Sequence, residues 1–394
     1  MAEADQHILI SGAGIAGMTA ALCLAQAGFT ISVFEKSTNL EDTGAGIQIS
    51  PNAFDVFQSL GLSKLLTSMS AAPEGVRMID AISGERIVDV PMGTSMTKRY
   101  KKPYLVIHRG DLQSILLSRC IEEPAIKLHL GSEVMDVASH ANGVTLLTRN
   151  GKLMRETPAS IAIAADGIWS RIRTQSLNLP APIDTGKIAI RALIPTAEIS
   201  NKESLIHTHL WLAPGAHGVT YAVRGGRLLN VIVICDADKT PAQEADLENI
   251  LAERTSHWHR SFKDIVGHVS AWGVWPVFET QKIDAMVKEN VVLIGDAAHA
   301  MRPFAAQGAA MGIEDAGVLA RLLSSNEDTS LALRKFETER ISRIRKVTKF
   351  ARTNGNIYHL PKPLSLARNL VMRLTPPARL LSRQDWIYKW QLDG

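Results

Sequence analysis

The chain has 394 residues, of which 46% are hydrophobic and 21% are charged, and this composition excludes a disordered or collagen-like protein. The length suits an enzyme of two or three parts, because a domain usually takes roughly 100–200 residues. A formal net charge of +4 is too small to indicate nucleic-acid binding.

The apolar runs and the cysteines narrow the class of protein further. No uninterrupted apolar run approaches the ~20 residues that cross a bilayer, and the polar, acidic N-terminus is unlike a signal peptide. Cys23, Cys120 and Cys235 are far apart and form no CxxC pair, which argues against a disulfide framework or a metal cluster. We therefore predict a cytoplasmic protein without a metal site.

The first elements along the chain indicate a βαβ unit. Residues 7–11 form an apolar run that ends at glycines, residues 15–27 continue with helical character, and residues 30–34 form a second β-rich run. A strand, a glycine turn, a helix and a strand within about 30 residues are typical of a nucleotide-binding parallel sheet.

The later segments predict a second sheet and a return to the first one. Residues 76–90 and 127–148 are typical of antiparallel strands, because turn signals interrupt both. Residues 291–294 form another buried strand, and residues 331–353 predict an amphipathic helix whose basic face is solvated. Between residues 148 and 291, a run of predicted strands covers residues 187–195, 205–212, 218–223 and 228–235, which suggests a separate sheet.

Glycines between the first strand and the first helix predict a phosphate-binding turn, Gly12-Ala13-Gly14-Ile15-Ala16-Gly17. Gly12 permits the tight turn, Gly14 lets the backbone approach a pyrophosphate, and Gly17 lets the helix pack closely on the strand. The positive end of the helix dipole then faces the phosphate charge. Glu35 ends the second strand, where a carboxylate accepts ribose hydroxyls. This pattern predicts an adenine dinucleotide without choosing between FAD and NAD.

Two further motifs favour FAD. The buried strand at 291–294 ends in Gly295-Asp296, and this aspartate can hold ribityl hydroxyls. Small residues before the next helix leave amides free for the flavin pyrimidine edge, where the helix dipole stabilises negative charge. The other motif is an Asp166-Gly167 turn followed by arginines, for which a capped helix start with solvated arginines is the alternative interpretation.

These motifs together resemble the class A flavoprotein monooxygenases, which are FAD-dependent aromatic hydroxylases. The matching segments are GAGIAG with Glu35, AADGIWSRIR and GDAAHAMRPFAAQGAAMGIEDA, in that order. The segments GAGIQISPNA (44–53), HRGDL (108–112) and YAVRGGRLLN (221–230) are most similar to the branch of salicylate hydroxylase and 3-hydroxybenzoate 6-hydroxylase. The resemblance extends over nearly the whole chain.

The resemblance implies a fold and a reaction. The implied fold class is α/β, with a Rossmann-like FAD-binding domain, an inserted mixed β-sheet substrate domain and a C-terminal helical segment. The implied cofactors are FAD, NADH or NADPH, and molecular oxygen, which forms a flavin C4a-hydroperoxide that hydroxylates an electron-rich ring. The expected substrate is a small aromatic or heteroaromatic hydroxyacid, with or without decarboxylation. The expected oligomeric state is a monomer or homodimer, without nucleic-acid or membrane partners.

The resemblance also divides the chain into domains. The predicted FAD-binding domain comprises residues 1–75, 101–180 and 286–330, the substrate domain comprises residues 76–100 and 181–285, and the helical region comprises residues 331–394.

The resemblance also implies which residues contact FAD. Arg109 and Gln113 belong at the phosphate or ribityl region, Val134 near the adenine, and Gly46 and Ile47 in a mobile loop beside the flavin. The predicted cofactor set is Gly12, Gly14, Ile15, Ala16, Gly17, Glu35, Lys36, Gly46, Ile47, Arg109, Gln113, Val134, Asp166, Asp296, Pro303, Gly308 and Ala309.

The catalytic candidates lie in the second predicted sheet. Aromatic hydroxylation is faster on a phenolate, so a base or a proton relay should face the ring. His217 and Tyr221 are an even number of residues apart and therefore share one face of a strand, which the resemblance places at the substrate pocket. The alternative is a solvated His217 in a turn and a core Tyr221 whose hydroxyl reaches the surface.

Arg191 is a candidate partner of a substrate carboxylate. The alternative is that it forms an ion pair at the protein surface. The predicted substrate set is Gln48, Arg191, His209, His217, Tyr221 and Pro303.

Two alternative functions stay open. The segment WGVWP at 272–276 is similar to part of a sequence box of flavin-dependent halogenases, so a halogenase or a reductase of the same fold is one alternative. A dinucleotide-binding protein without catalysis is the other. A chloride-dependent product, oxygen-independent turnover, or the lack of NAD(P)H oxidation stimulated by an aromatic compound would distinguish these functions from a hydroxylase.

Overall fold

Two large sheets organise the chain in a computed structural model that describes residues 7–40, 46–199, 202–237, 244–325 and 328–393. The strands in chain order are β1 His7–Ser11, β2 Thr30–Glu35, β3 Gly46–Ile49, β4 Gly75–Asp80, β5 Arg86–Pro91, β6 Leu105–His108, β7 Ile126–Leu130, β8 Glu133–His140, β9 Gly143–Asn150, β10 Leu153–Ala159, β11 Ile161–Ala164, β12 Ile183–Pro195, β13 Thr208–Ala213, β14 Ala216–Val223, β15 Leu228–Asp236, β16 Gly273–Glu279, β17 Val287–Lys288 and β18 Val291–Leu293. A six-stranded sheet has the order β17-β18-β11-β1-β2-β7, and a seven-stranded sheet has the order β16-β12-β15-β14-β13-β4-β5.

Helices cover the sheets and form most of the C-terminal region. The architecture confirms the predicted α/β fold class, including its C-terminal helical segment. Within the described residues, no helix combines the length and the apolar character that a membrane crossing requires. The helices are α1 Ile15–Gln26, α2 Pro51–Ser59, α3 Ser63–Met69, α4 Gly93–Tyr100, α5 Arg109–Glu122, α6 Glu203–Ile206, α7 Glu244–Thr255, α8 Arg260–Val266, α9 Asp296–His299, α10 Gly308–Ser325, α11 Thr329–Tyr358, α12 Leu364–Leu374, α13 Pro377–Ser382 and α14 Asp385–Tyr388.

The six-stranded sheet is built on β1, which lies parallel to both β2 and β11. Its residues Ile8, Leu9 and Ile10 are fully buried, as expected of a strand covered on both faces. The predicted antiparallel pairing of residues 127–148 is wrong for β7, which pairs in parallel with β2. The turn signal at Gly143 joins only β8 to β9, and it carries no information about the partner of β7.

The seven-stranded sheet has two faces that meet different neighbours. One face packs Trp211, Val231 and Val233 against Phe262 of α8. The other face, which includes Tyr221, packs against β6 and against Tyr388 of α14. The predicted strand at 205–212 is wrong in its first residues, because α6 runs to Ile206 before β13 starts at Thr208.

The long helix α11 confirms the predicted amphipathic helix but not its fully solvated basic face. Phe336, Ile344 and Val347 are buried, as the apolar stripe predicted. Arg340 is also fully buried and forms ion pairs with Glu314 and Asp315 of α10. A buried guanidinium needs charged partners, and residues distant in the chain supply them.

Candidate functional site

The turn after β1 accepts only glycine at two of its positions. Gly12 has a φ of +102°, and a Cβ atom there would lie 2.4 Å from the Ala165 carbonyl oxygen. A Cβ atom on Gly17 would lie 2.0 Å from the Gly12 oxygen, so α1 packs directly on the turn. No heavy atom lies within 4 Å of the corresponding position on Gly14. The turn is therefore closed towards the protein and open on the side where a pyrophosphate would approach.

Glu35 is held at the end of β2 with its carboxylate beside this turn. One oxygen accepts a hydrogen bond from the Ala13 amide at 2.9 Å, and the other accepts from the Ser37 amide at 2.9 Å. A groove of about 230 Å³ runs past the carboxylate. Its lining brings together predicted cofactor residues from distant parts of the chain, namely Gly12, Gly14, Glu35, Lys36, Val134 and Asp166.

Asp166 closes the far wall of the groove. Its Oδ2 accepts a hydrogen bond from the Arg171 amide at 3.2 Å, while its buried Oδ1 has no partner among the described residues. Burial raises the pKa of this carboxyl group. Trp169, 63% exposed, also lines the groove and packs edge-on against Phe278. Sequence reasoning did not single out Trp169, although an aromatic residue two positions after the Asp166-Gly167 turn was a usable signal.

A second close packing joins the Gly-Asp motif to the glycine turn. Gly295 has a φ of +59°, and a Cβ atom there would lie 2.9 Å from the Ala16 side chain. A Cβ atom on Gly312 would lie 3.1 Å from the same atom of Ala16. This contact places Asp296, which follows Gly295, near the start of α1. Burial raises the pKa of the Asp296 carboxyl group. The positive charge of Arg109 acts in the opposite direction but has the smaller effect.

His299 supports the motif from behind. Its Nε2 lies 2.6 Å from Asp315 Oδ2, and both side chains are fully buried. The same carboxylate oxygen accepts a hydrogen bond from the Gly295 amide at 3.0 Å. Asp315 therefore holds the Gly-Asp turn, and His299 holds Asp315.

The segment from Pro303 to α10 is held in place by side chains at the start of α2. Pro303 is exposed and starts a short 3-10 helix, after which Ala306 takes a φ of +52°. The Gln307 amide is fixed by Asn52, which donates to its Oε1 at 3.0 Å, and by Ser50 Oγ, which lies 3.1 Å from its Nε2. The first residues of α10, Gly308 and Ala309, thus begin from an anchored position. Sequence reasoning missed Gln307 and Asn52.

The helix α5 contributes one exposed and one buried residue to the site. His108 caps it by accepting from the Gly110 amide, and Arg109 is exposed at its first position. The buried Gln113 donates to the Ala13 carbonyl at 3.4 Å, so it ties the helix to the glycine turn.

The register of the seven-stranded sheet brings three candidates to one face. Residues directly opposite each other on neighbouring strands share a face, which alternates along each strand. Arg191 lies opposite Ile232, which lies opposite Val219. His217 and Tyr221 share the face of Val219, because they are two residues away on either side. His209 lies opposite Thr220 and therefore occupies the other face. The structure brings Arg191, His217 and Tyr221 together and separates His209 from them.

Tyr221 touches the segment that was predicted to be a mobile loop. Its hydroxyl donates to the Gly46 carbonyl at 2.7 Å, and Asn230 Oδ1 accepts from the Gly46 amide at 3.3 Å. The loop prediction is wrong for Gly46 and Ile47, because they start β3 and pair with β6. The polar residue that follows, Gln48, accepts a hydrogen bond from the Tyr104 hydroxyl at 2.8 Å.

His217 is a buried strand residue, so the solvated-turn alternative is wrong. It is 2% exposed, and its Nδ1 lies 2.8 Å from His359 Nε2 at the end of α11. Its ring packs against Tyr358 and against Phe304, which follows Pro303. Burial, together with the neighbouring His359, holds the pKa of His217 well below its usual value, so the ring is neutral at physiological pH.

Arg191 lies partly buried on the sheet face that carries Tyr221, and not in a surface ion pair. Its guanidinium carbon lies 5.3 Å from the centre of the Trp275 ring, and its Nε has no hydrogen-bond partner within the described residues. Burial lowers the pKa of Arg191, and the nearby Tyr221 acts in the opposite direction. Arginine stays charged even so, and a charged, partly desolvated guanidinium suits a carboxylate ligand.

The glycine turn and the Gly-Asp motif meet at the start of α1, and this arrangement is typical of a dinucleotide-binding protein. The chain belongs to a family described as FAD binding domain, which matches residues 5–351. This match confirms the predicted class A flavoprotein monooxygenase with FAD as its cofactor.

Similar proteins extend over nearly the whole length of the chain. The 3-hydroxybenzoate 6-hydroxylase of Klebsiella oxytoca is 28% identical over 100% of this chain and 99% of its own. The 6-hydroxynicotinate 3-monooxygenase of Bordetella bronchiseptica is 30% identical over 90% of this chain and 94% of its own. The solved structure of a salicylate hydroxylase substrate complex superposes with a TM-score of 0.82 and 25% identity over 100% of this chain and 97% of that one.

Proposed function

We propose that this enzyme hydroxylates a small aromatic or heteroaromatic hydroxyacid, consuming NADH or NADPH and dioxygen. The reaction inserts one oxygen atom of O2 into a ring C–H bond and reduces the other to water with two electrons from the nicotinamide. The observation that carries this proposal is the shared sheet face of Arg191, His217 and Tyr221, which meets Gly46 and the segment from Pro303 to Gln307.

The groove described above suits the adenosine and pyrophosphate part of FAD. Gly12, Gly14 and Gly17 leave the first turn of α1 open to a pyrophosphate, and Glu35 has an oriented carboxylate for the ribose. The rest of the predicted contact set is Ile15, Ala16, Lys36, Val134 and Asp166 near the adenosine and phosphates, Arg109, Gln113 and Asp296 near the ribityl chain, and Gly46, Ile47, Pro303, Gly308 and Ala309 near the ring. FAD, when bound and reduced, supplies the activation of oxygen.

Arg191 binds the carboxylate of the substrate in this proposal. The side chain is charged, partly desolvated and directed to the face that carries Tyr221. A carboxylate that approaches it replaces water with a charge-assisted hydrogen bond, which fixes the ring in one orientation. The names of the similar hydroxybenzoate and hydroxynicotinate enzymes, which act on ring acids, support this assignment.

His217 accepts the proton of the substrate hydroxyl group. The neutral imidazole can take a proton on one nitrogen while the other faces His359 at 2.8 Å, so the pair forms a short relay. Burial raises the pKa of Tyr221, which therefore remains a protonated hydrogen-bond donor. Tyr221 orients the pocket through its bond to the Gly46 carbonyl. Gln48 and Pro303 complete the proposed substrate set, and the face on which His209 lies argues against including it.

The decisive experiment measures flavin binding and substrate-stimulated oxidation together. The purified protein is reconstituted with FAD, and NADH and NADPH oxidation is followed over a panel of hydroxybenzoates and hydroxynicotinates. We expect a bound-flavin spectrum, stimulation by at least one acid, and one hydroxylated product per nicotinamide oxidised at full coupling. Bound flavin without stimulation by any acid would contradict the proposal, and a chloride-dependent product would indicate a halogenase.

The role of His217 is tested by replacing it with glutamine. The His217→Gln variant removes the base, and we expect hydroxylation to slow by about 100-fold, a typical contribution of general base catalysis. His257→Gln, which changes an exposed histidine, is the matched control. Wild-type rate and coupling in His217→Gln would show that another group accepts the proton.

A further inference from the structure

The helix α12 presents its apolar side to solvent. Leucine and valine side chains that are between 54% and 75% exposed follow the helix from its first residue to its last, namely Leu364, Leu366, Leu370, Val371 and Leu374. Leu366, Leu370 and Leu374 recur at every fourth position and therefore form one stripe along the helix. A monomeric protein rarely exposes a large contiguous apolar patch, and such a patch marks an interaction site.

The side of α12 that faces the protein is polar. The buried Arg368 donates hydrogen bonds to the Ile357 and Tyr358 carbonyls at 3.1 and 2.7 Å. Asn369, which is also buried, donates to Asp80 Oδ2 at 2.7 Å. An ordinary surface helix packs its apolar side on the core and exposes its polar side. The orientation of α12 is the reverse, and because buried hydrogen bonds fix it, the apolar side is available to a partner.

Basic residues flank this apolar side. The sequence contains no aspartate or glutamate from residue 359 to residue 384. Lys362 precedes α12, Arg379 and Arg383 follow it, and all three are exposed. Within the helix, Arg373 pairs with Glu85, which lies between β4 and β5, at 2.7 Å. A partner of the apolar side therefore meets positive charge before and after the helix.

A second copy of this chain suits the patch poorly. A two-fold axis places the same surface on both sides of an interface. In an antiparallel packing of α12 on itself about Leu370, the end that carries Lys362 would lie beside the end that leads to Arg379. In a parallel packing, each basic residue would lie beside its own copy. Both arrangements bring like charges together, which opposes association.

An anionic lipid surface matches both the apolar side and the basic ends. The apolar side chains of an interfacial helix enter the boundary between headgroups and acyl chains, while lysine and arginine reach the headgroups. We propose that α12 docks the enzyme on an anionic bilayer surface, with Lys362, Arg379 and Arg383 at the lipid phosphates. The sequence led us to expect no membrane partner, because only the fold decides which side of α12 packs on the protein.

The test measures flotation of the FAD-loaded full chain with vesicles of phosphatidylcholine, alone or mixed with phosphatidylglycerol. We expect binding to the mixed vesicles at low salt, and binding about 10-fold weaker to pure phosphatidylcholine, because the basic residues gain nothing from a neutral surface. Added salt should weaken binding to the mixed vesicles, since it screens the attraction between charges.

Two double variants separate the apolar contribution from the charged one. Leu370→Gln combined with Leu374→Gln should weaken binding to the mixed vesicles about 100-fold, because each lost leucine contact is worth about 10-fold. Arg379→Gln combined with Arg383→Gln should remove the preference for the mixed vesicles. The matched control is Leu153→Gln, which changes an equally exposed leucine on β10 and should bind as the wild type does.

Binding that is lost in the double leucine variant and kept in Leu153→Gln supports the proposal. Equal binding to both kinds of vesicle, equal loss in Leu153→Gln, or no binding at all overturns it. Sedimentation velocity tests the other occupant: a wild-type dimer that dissociates in the double leucine variant, without vesicle binding, assigns the patch to a second copy and overturns the proposal as well. Thermal midpoint and FAD content verify folding, and the double arginine variant decides the outcome if the double leucine variant does not fold.

Discussion

The two faces of the seven-stranded sheet carry similar side chains in different surroundings. On the flavin side, the Tyr221 hydroxyl bonds to the Gly46 carbonyl and His217 bonds to His359. On the helix side, the ring nitrogens of His209 and the indole nitrogen of Trp211 have no partner among the described residues. Successive residues of one strand point to opposite faces, as Thr220 and Tyr221 of β14 do, so the register of the sheet decides which of these surroundings a side chain meets.

The largest expected effect comes from removing the positive charge on the flavin side. In Arg191→Met, we expect kcat/KM for the aromatic acid to fall about 1000-fold, because a substrate carboxylate loses a buried charged partner worth ~4 kcal/mol. Steady-state kinetics with a ring acid and with its uncharged amide would measure this effect. The variant should discriminate much less between acid and amide than the wild type does.

The control for this prediction is the neighbouring residue on the other face. Ile190 is fully buried among the residues that pack on α8. Ile190→Val should cost about 1 kcal/mol of stability through the lost methylene group and leave the kinetics unchanged. Equal kinetic losses in both variants would mean that the sheet responds as a whole and that its faces are not independent.

A smaller effect is expected from adding one methyl group at Gly46. A Cβ atom there would lie 2.3 Å from Tyr221 Cε2, so the ring has to move. We expect Gly46→Ala to reduce kcat about 100-fold, which a misplacement of about 1 Å in an active site can cause. Gly267→Ala, on the helix side, meets the Lys263 carbonyl at 3.3 Å and should leave kcat unchanged. A wild-type kcat for Gly46→Ala would show that Tyr221 can shift without consequence.

The Tyr221 hydroxyl itself should matter less than the position of its ring. Tyr221→Phe removes the bond to the Gly46 carbonyl, and we expect kcat/KM to fall about 10-fold, the equivalent of one buried hydrogen bond. Thr220→Val changes the adjacent side chain on the opposite face and should have no kinetic effect. Rapid-quench measurement of hydroxylation in the two variants separates these outcomes, and a loss in Thr220→Val alone would reverse the assignment of the faces.

The smallest effect concerns acid stability and involves both faces. Burial lowers the pKa of His209 and of His359 to about 4, below the value near 6.5 of an unfolded histidine. The unfolded chain therefore binds more protons between these values, and stability that is present above pH 6.5 is lost as the pH falls towards 4. Replacing either histidine with leucine should reduce this loss by about 1 kcal/mol.

Urea unfolding at pH 7.5 and pH 5 measures this difference. The exposed His257, replaced with glutamine, serves as the control and should leave the pH dependence as it is in the wild type. If neither leucine variant changes the pH dependence, then other groups cause the acid sensitivity, and burial does not hold His209 and His359 in their neutral form.

The flavin end of the site was predictable because its chemistry lies in contiguous motifs. The turn from Gly12 to Gly17 and the Gly295-Asp296 pair each follow a strand, Glu35 ends one, and parallel strands bring their carboxyl ends to one edge. The residues that support the predicted contacts were less predictable. Gln307 and Asn52 became visible only through the hydrogen bond between them, and Gly46 proved to be a strand residue whose partner lies in β6.

The sequence by itself determined the cofactor family, the order of the elements and the even spacing that joins His217 to Tyr221, because local steric rules and strand alternation act over a few residues. Only the tertiary structure decided which face of the sheet meets the flavin domain. That choice depends on pairing between β12, β13, β14 and β15, which come together across long stretches of chain. His209 was therefore placed with the substrate residues from its sequence, while the register of β13 against β14 puts it on the opposite side.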